Sequence, residues 1–221
     1  MISELFATEN LIFLSAEDGF GHGGRWVALS SCVWEGPTCL KRTPRLKRFY
    51  PRLFTLFYRI LGCPSAELEH MAREAQMIDE TDNLRHIEDV FTAICMRLPT
   101  NYLPSPSQVA VLAPLKKARI FPTRLGLEST KTFQLKTASD EDEWFVPDDQ
   151  RSSFYFEDQL NFLALDRKSL SSFKPLFEGL GVRNRLLSVA AHCEAVVGGQ
   201  NRTGGHLYGR WLRKRIRFVI A

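Results

Sequence analysis

The sequence predicts an α+β fold, and three observations carry that reading. Short β-prone runs stand near the start and in the middle of the chain, amphipathic helical stretches with recognisable ends lie between them, and the two kinds do not alternate regularly. The expected architecture is an N-terminal β-hairpin, helix-Leu-Gly-helix hairpins, a small mixed sheet and a C-terminal basic amphipathic helix.

The hairpin comes first. "LIFLS" (residues 11–15) and "RWVALSSCVW" (25–34) are both apolar and β-prone, and the stretch between them is rich in Gly and acidic residues. Gly19, Gly21 and Gly24 are spaced as G-x-G-x-x-G, the spacing of a dinucleotide fingerprint. That fingerprint needs its third glycine to open a helix whose amides hold the pyrophosphate. Here Gly24 leads into a second strand, so the three glycines are expected to form a turn without a ligand. His22 at the tip has no second metal ligand at a suitable spacing and reads as a turn residue.

Three helices follow. Pro51 opens the first, with Leu53, Phe54, Phe57, Ile60 and Leu61 on an apolar face, Arg52, Thr55 and Arg59 opposite, and Gly62 as its stop. Ser65 is the expected N-cap of the second, and "ETDNLRHIEDVFTAICMRL" forms a third through about Leu98. Residues 99–107 hold three prolines and read as a linker. The expected organisation is therefore a hairpin plus helical subdomain over 1–98, a Pro-rich linker over 99–107, and a sheet, helical hairpin and terminal helix over 108–221, with the parts free to pack as one domain.

In the second half a short helix is expected near Gln108–Lys116, then strands in "ARIFPTRL", "KTFQLKT" and "EWFVPD", with an acidic turn at Asp140–Glu143. "LNFLAL" is a further strand. A helix begins near or is broken by Pro175, "RNRLLSVAAHCE" forms another, and "HLYGRWLRKRIRFVIA" ends the chain as a third. Leu61-Gly62-Cys63 and Leu180-Gly181-Val182 match as turns 119 residues apart, each expected to carry a glycine at positive φ and a buried apolar residue after it.

Catalytic machinery has no anchor in the sequence. His70, His86 and His192 fall on expected helices without a second ligand nearby, the five cysteines form no C-x-x-C pair, and no P-loop, G-x-S-x-G or S-x-x-K motif occurs. No metal and no cofactor is expected. The charge balance of +4 tolerates acidic partners or nucleic acid without demanding either. On the terminal helix, Tyr208, Leu212, Ile216 and Val219 share one face while Arg210, Arg213, Lys214 and Arg217 gather opposite, either to face water or to grip phosphates. No apolar run approaches the roughly 20 residues of a membrane span, and the start lacks a signal-peptide pattern, so an intracellular protein, cytoplasmic or nuclear, is expected.

The order of "ENLIFLSAEDGFGHGGRWVALSSCVW", "LFTLFYRILGCPSAELEHM", "ARIFPTRL", "WFVPDDQ" and "SSFKPLFEGLGVRNRLLSVA" resembles a region of very large fungal proteins that carry a histidine-kinase-like or heat-shock-chaperone-like ATPase module, as in sacsin and NO VEIN. The resemblance places this chain downstream of that module, whose asparagine helix and glycine-rich lid have no counterpart here. It implies a non-catalytic scaffold or accessory protein that engages a protein partner. The alternative is a nucleic-acid-binding module using the basic terminal helix, and an enzyme would require a pocket gathering a histidine and perturbed carboxylates.

Overall fold

Burial along the first strand alternates with the period of two that one covered face imposes: Ile12 and Leu14 are buried, and Phe13 between them is exposed. The structure, a computed structural model, describes residues 2–15, 24–99, 104–126, 132–139, 144–156, 159–195 and 216–220. A short exposed helix, α1 (Ile2–Thr8), precedes β1 (Ile12–Leu14), which pairs antiparallel with β2 (Arg25–Val27), Ile12 standing opposite Val27. The hairpin is therefore formed. Gly19 and Gly21 lie outside the described residues, as does His22. Gly24 directly precedes β2, and a Cβ there would press on the Phe13 ring and stand 2.6 Å from the Leu14 carbonyl oxygen. The position takes glycine because two backbones approach closely, and the chain leaves it as a strand, with no helix end to hold a pyrophosphate.

After α2 (Leu46–Phe49), residues Thr55–Ile60 form a π-helix, with the Leu61 N–H donating to the Leu56 carbonyl. The expected amphipathic face is corrected here. Only Phe57 and Leu61 of its five residues are buried; Leu53, Phe54 and Ile60 are exposed. A wide i→i+5 turn aligns residues four to five apart, so a count made at 3.6 residues per turn assigns the wrong partners. Gly62 then ends the element at φ 71°.

Helix α3 (Leu68–Gln76) is capped by Glu67, two residues after the expected Ser65, and the His70 ring closes the box by accepting the Glu67 N–H. Asn83 caps α4 (Leu84–Cys95), and Ser105 with Gln108 caps α5 (Pro106–Leu112), where Pro106 occupies the first helical position. A four-stranded sheet comes next in the order β4-β3-β6-β5, from β3 (Phe121–Leu125), β4 (Gln134–Lys136), β5 (Trp144–Phe145) and β6 (Asn161–Leu163). Strand β3 runs antiparallel to both neighbours. Strands β5 and β6 are parallel, joined through α6 (Gln150–Tyr155), which makes the sheet mixed. Then come α7 (Arg167–Leu170), a 3₁₀ turn over Ser171–Phe173 and α8 (Lys174–Leu180), with Pro175 in the first turn of α8.

Gly181 closes α8 at φ 71°, equal to Gly62, and Cys63 and Val182 after the two glycines are both buried. The Val182 N–H reaches back to the Phe177 carbonyl, and the Cys63 N–H to the Phe57 carbonyl, one residue further because a π-turn is wider.

The end of the chain departs from expectation. Helix α9 (Leu187–Ala190) gives way to β7 (Ala191–Ala195), which pairs antiparallel with β8 (Ile216–Ile220), Ala191 opposite Ile220 and Ala195 opposite Ile216. Neither the helix expected through Glu194 nor the one expected through the C-terminus holds at these residues. "IRFVI" is dominated by β-branched and aromatic residues that favour strands, and a second strand supplies the ladder they need. Arg210, Arg213 and Lys214 lie outside the described residues.

The larger hydrophobic cluster draws on α3, α4 and α5, the inner face of the sheet and α8, with residues from both sides of 99–107. Phe91 is its hub. Its ring centroid lies 6.0 Å from that of Phe121 on β3 and 5.8 Å from that of Phe173, while Phe121 stacks on Trp144 at 4.6 Å. A smaller cluster under the hairpin contains Ile12, Leu14, Val27, Trp34, Leu46 and Phe57. Replacing Phe91 with Ala should lower unfolding stability by about 3–5 kcal/mol in denaturant titration, since α4, the sheet and the 171–173 turn all lose their common contact. Gly24→Ala should cost about 1–3 kcal/mol because a backbone oxygen cannot yield as a side chain would, and an unchanged midpoint would mean that the strands do not close there.

Candidate functional site

Charged residues seldom survive burial unpaired, so the buried carboxylates of α3 and of the turn before α4 mark a candidate site. Glu74 is fully buried, and its side chain accepts the backbone N–H groups of Lys41 (3.0 Å) and Arg42 (3.2 Å). Asp82 accepts from Lys41 Nζ at 3.1 Å and from Arg42 at 3.2 Å, and Arg42 also reaches Asp79 at 3.1 Å. His86 lies inside this cluster, its Nε2 3.6 Å from Asp82 and 3.9 Å from Glu74. Burial, with Lys41 adding to it, holds the His86 ring below its usual pKa and keeps it neutral. Burial works against ionisation of Asp82, yet the hydrogen bonds from Lys41, the Asp79 N–H and Arg42 hold its carboxyl below the usual range. The cluster is a clamp, in which the 41–42 loop donates to Glu74, Asp79 and Asp82, and the Asp79 N–H adds a further donor to Asp82. Among the described residues no group of three or more His, Cys, Asp or Glu is arranged to hold a metal ion.

A second arrangement is aromatic. Phe13 and Trp26 face each other across the hairpin at 5.2 Å, and Tyr50 donates its hydroxyl to the Phe13 carbonyl while its ring packs, tilted, on Phe57 at 5.2 Å. Phe57 lies 6.5 Å from Trp34, Trp34 lies 5.6 Å from Phe54, and Phe54 stacks on Tyr58 at 5.0 Å. Seven rings thus form a belt across the N-terminal unit. Its middle, Trp34 and Phe57, is buried, while its two ends are open to solvent, with Trp26 60% exposed. Ile60, 65% exposed, and Leu56 extend the second end, and the Arg59 guanidinium lies 5.5 Å from the Phe54 ring centroid. Residues 24–63 contain eight Lys or Arg and a single Glu, an excess larger than the +4 of the whole chain, so the remainder is net acidic.

The residues singled out from sequence are dispersed. Arg217 stands on β8 in register with Glu194 of β7, so it is not on a helical face with Arg210, Arg213 and Lys214. His70 serves as a cap, His86 belongs to the clamp, and His192 lies on β7. The acidic turn at 140–143 lies outside the described residues. Cys39 and Cys95, both buried, have thiols pushed up to about 11, and Cys63 to about 12, chiefly by desolvation, which leaves them unreactive at neutral pH. Sequence reasoning missed the belt. Its signal was present in "RLKRFYPRLFTLFYRI", where cations and aromatics interleave, but a helical wheel turned those aromatics inward.

Residues 66–191, more than half of the chain, match the model of a family described as Domain of unknown function (DUF8348). No curated protein and no solved structure matches. The matched stretch runs from the start of α3 into β7, and the belt lies N-terminal to it.

The clamp sets how stability responds to pH. His70 and His86 both have lowered values in the fold, so the unfolded chain takes up protons first as pH falls below about 6.5, and stability declines from there toward the lower folded values. Asp82 has a lowered carboxyl, so its contribution is complete above about 3.8 and is lost as pH falls through its folded value. Urea titrations from pH 8 to pH 3 should show both declines. His86→Gln should shrink the first, leaving the share of His70, and Asp82→Asn should shrink the second; a flat profile between pH 7 and pH 5 would contradict a buried neutral His86.

Proposed function

As the chain belongs to the DUF8348 family, whose description assigns no activity, we propose from its surfaces that it is a non-catalytic scaffold or accessory protein that docks an acidic, partly apolar protein segment on the aromatic belt. The observation that carries the reading is the exposure of both belt ends beside a cationic stretch. Water-exposed Trp, Phe, Tyr and Ile grouped on one unit, with an Arg over a ring, have the composition of a binding hot spot. The cation excess of residues 24–63 selects an acidic occupant by charge complementarity. The segment order that resembles the region downstream of the ATPase module in sacsin- and NO VEIN-like proteins agrees with an accessory role. No helix among the described residues is long and apolar enough to cross a membrane. Among the described residues Cys32, Cys39, Cys63 and Cys95 are free and buried, which suits a reducing, intracellular setting, cytoplasmic or nuclear.

The test compares the full chain with a Trp26→Ala, Tyr58→Ala variant, both positions being exposed, in selection from a displayed library of random peptides. The variant should keep its melting temperature within a few degrees, because exposed positions contribute little to folding. The wild type should enrich peptides in which Asp or Glu flank aromatic or aliphatic residues, and the variant should lose at least about tenfold in affinity for them. Enrichment without acidic residues, or equal binding by the variant, would overturn the proposal. So would salt-sensitive binding of single-stranded nucleic acid abolished by the same substitutions, which would make the belt a stacking platform for bases.

A further inference from the structure

The backbone of the hairpin carries information that its side chains do not. A Cβ at Gly24 would stand 2.6 Å from the Leu14 carbonyl oxygen, so that oxygen faces β2. Backbone groups alternate in direction along an antiparallel strand, so those of Phe13 point away from β2, and the Tyr50 hydroxyl donates to the Phe13 carbonyl on that outer side. Trp26 stands opposite Phe13. Its N–H and C=O therefore point away from β1, along the outer edge of β2, and those of Gly24, two residues earlier, point the same way.

The two edges of the hairpin differ in cover. On β1 the Phe13 carbonyl is taken by Tyr50, and the Leu11 N–H turns back to the Glu9 carbonyl. On β2 the Ala28 carbonyl accepts the Ser31 N–H at 3.1 Å, where the chain turns out of the strand. Before that turn, no hydrogen bond from the described residues reaches the backbone N–H or C=O of Gly24 or Trp26, and both residues are exposed. The larger sheet treats an edge differently: β5 runs on into Val146, whose N–H donates to the Arg185 carbonyl and whose carbonyl accepts the Leu187 N–H. A row of unpaired backbone groups beside an exposed Trp is a template for one more strand.

Resting on the belt reading above, we propose that the docked acidic, partly apolar segment is extended and joins the outer edge of β2 as a third strand, exchanging backbone hydrogen bonds with Trp26 and Gly24. Residues directly opposite each other on neighbouring strands share a face, so the residue paired with Trp26 covers the exposed ring and every second residue follows it on that face. This selects a segment in which apolar and acidic residues alternate, with the cation excess of residues 24–63 offsetting the acidic charge. A helix laid at the same place would leave the edge groups unpaired, because it uses its own N–H and C=O groups internally. A second copy of the hairpin would bring two cationic units together, which like-charge repulsion opposes.

The experiment uses the full-length ¹⁵N-labelled protein and the blocked peptide acetyl-Glu-Val-Glu-Phe-Glu-Val-Glu-amide. In the free protein the Trp26 amide should exchange with ²H₂O at least about tenfold faster than the Arg25 and Val27 amides, which face β1. Saturating peptide should slow exchange at Gly24 and Trp26 about tenfold or more. N-methylation at the peptide's Phe should weaken binding about tenfold, and N-methylation at the Glu on either side less than about twofold, because only alternate amides of an added strand face β2. Trp26→Ala, which keeps the edge amide and removes the ring, should weaken the peptide about tenfold yet preserve that alternation. Binding that tolerates all three N-methyl groups, or that leaves the Trp26 amide unprotected, would refute strand addition and leave the belt reading in place. Protection of Trp26 that rises with protein concentration in the absence of peptide would assign the edge to a second copy, and would refute it as well. No binding of this peptide also refutes the added strand; the belt reading falls with it only if the displayed library yields no acidic ligand either.

Discussion

The Glu74 carboxylate, removed from water and saturated by the backbone amides of Lys41 and Arg42, is the interaction on which the two halves of the architecture depend. The cluster beneath the hairpin contains ten buried residues against thirty in the larger one, too few to hold an independent unit of this size. It is held instead by attachment. Residues 33–35 take backbone hydrogen bonds from both sides, Val33 with Pro44 and Leu46, Trp34 with Pro64 and Lys47, and Glu35 with Ala66. The loop beyond them then reaches α3 and the turn before α4 through the carboxylates of Glu74, Asp79 and Asp82. A buried carboxylate saturated by donors adds little to stability by its own attraction, but removing its donors leaves an uncompensated charge, so the pairing selects one docking geometry over others.

Much of this was legible where local chemistry determines the outcome. The two glycines after Leu61 and Leu180, each at positive φ before a buried residue, follow from hydrogen-bonding needs that do not consult the rest of the chain, whereas the cap of α3 falls on Glu67, two residues beyond the expected Ser65. The hairpin was legible for the same reason, because strand–glycine–strand order excludes a helix after Gly24. Legibility failed where the period itself was decided by tertiary contacts. The 55–60 segment takes a π-helical turn that buries Phe57 beside Tyr50 and Trp34, and no wheel drawn at 100° per residue can anticipate that. At the C-terminus, Ile216–Ile220 satisfied a helical pattern as well as a strand, and pairing with Ala191–Ala195 decided between them.

The belt escaped the sequence for a different reason. Its rings are spread over residues 13–58, and whether they form a surface depends on which of them the fold covers. Sequence alone assigned Phe54 and Ile60 to the core because apolar residues usually go there.

Rigidity then distinguishes the belt from an accidental apolar patch. Its exposed ends are not loose side chains on a loop: Phe13 and Trp26 are fixed in strand register, and Phe54 and Tyr58 are braced through Trp34, whose own backbone is bonded to Pro64 and Lys47. Aromatic rings held in this way lose little conformational freedom when a partner covers them, which is the condition under which buried area converts efficiently into affinity. The same exposure invites self-association, and the local excess of cations opposes it by repelling a second copy of the unit. An apolar surface that is rigid, open and protected by like charge against itself is suited to a partner of opposite charge, and the chain's asymmetry, basic over residues 24–63 and net acidic elsewhere, confines that suitability to one unit.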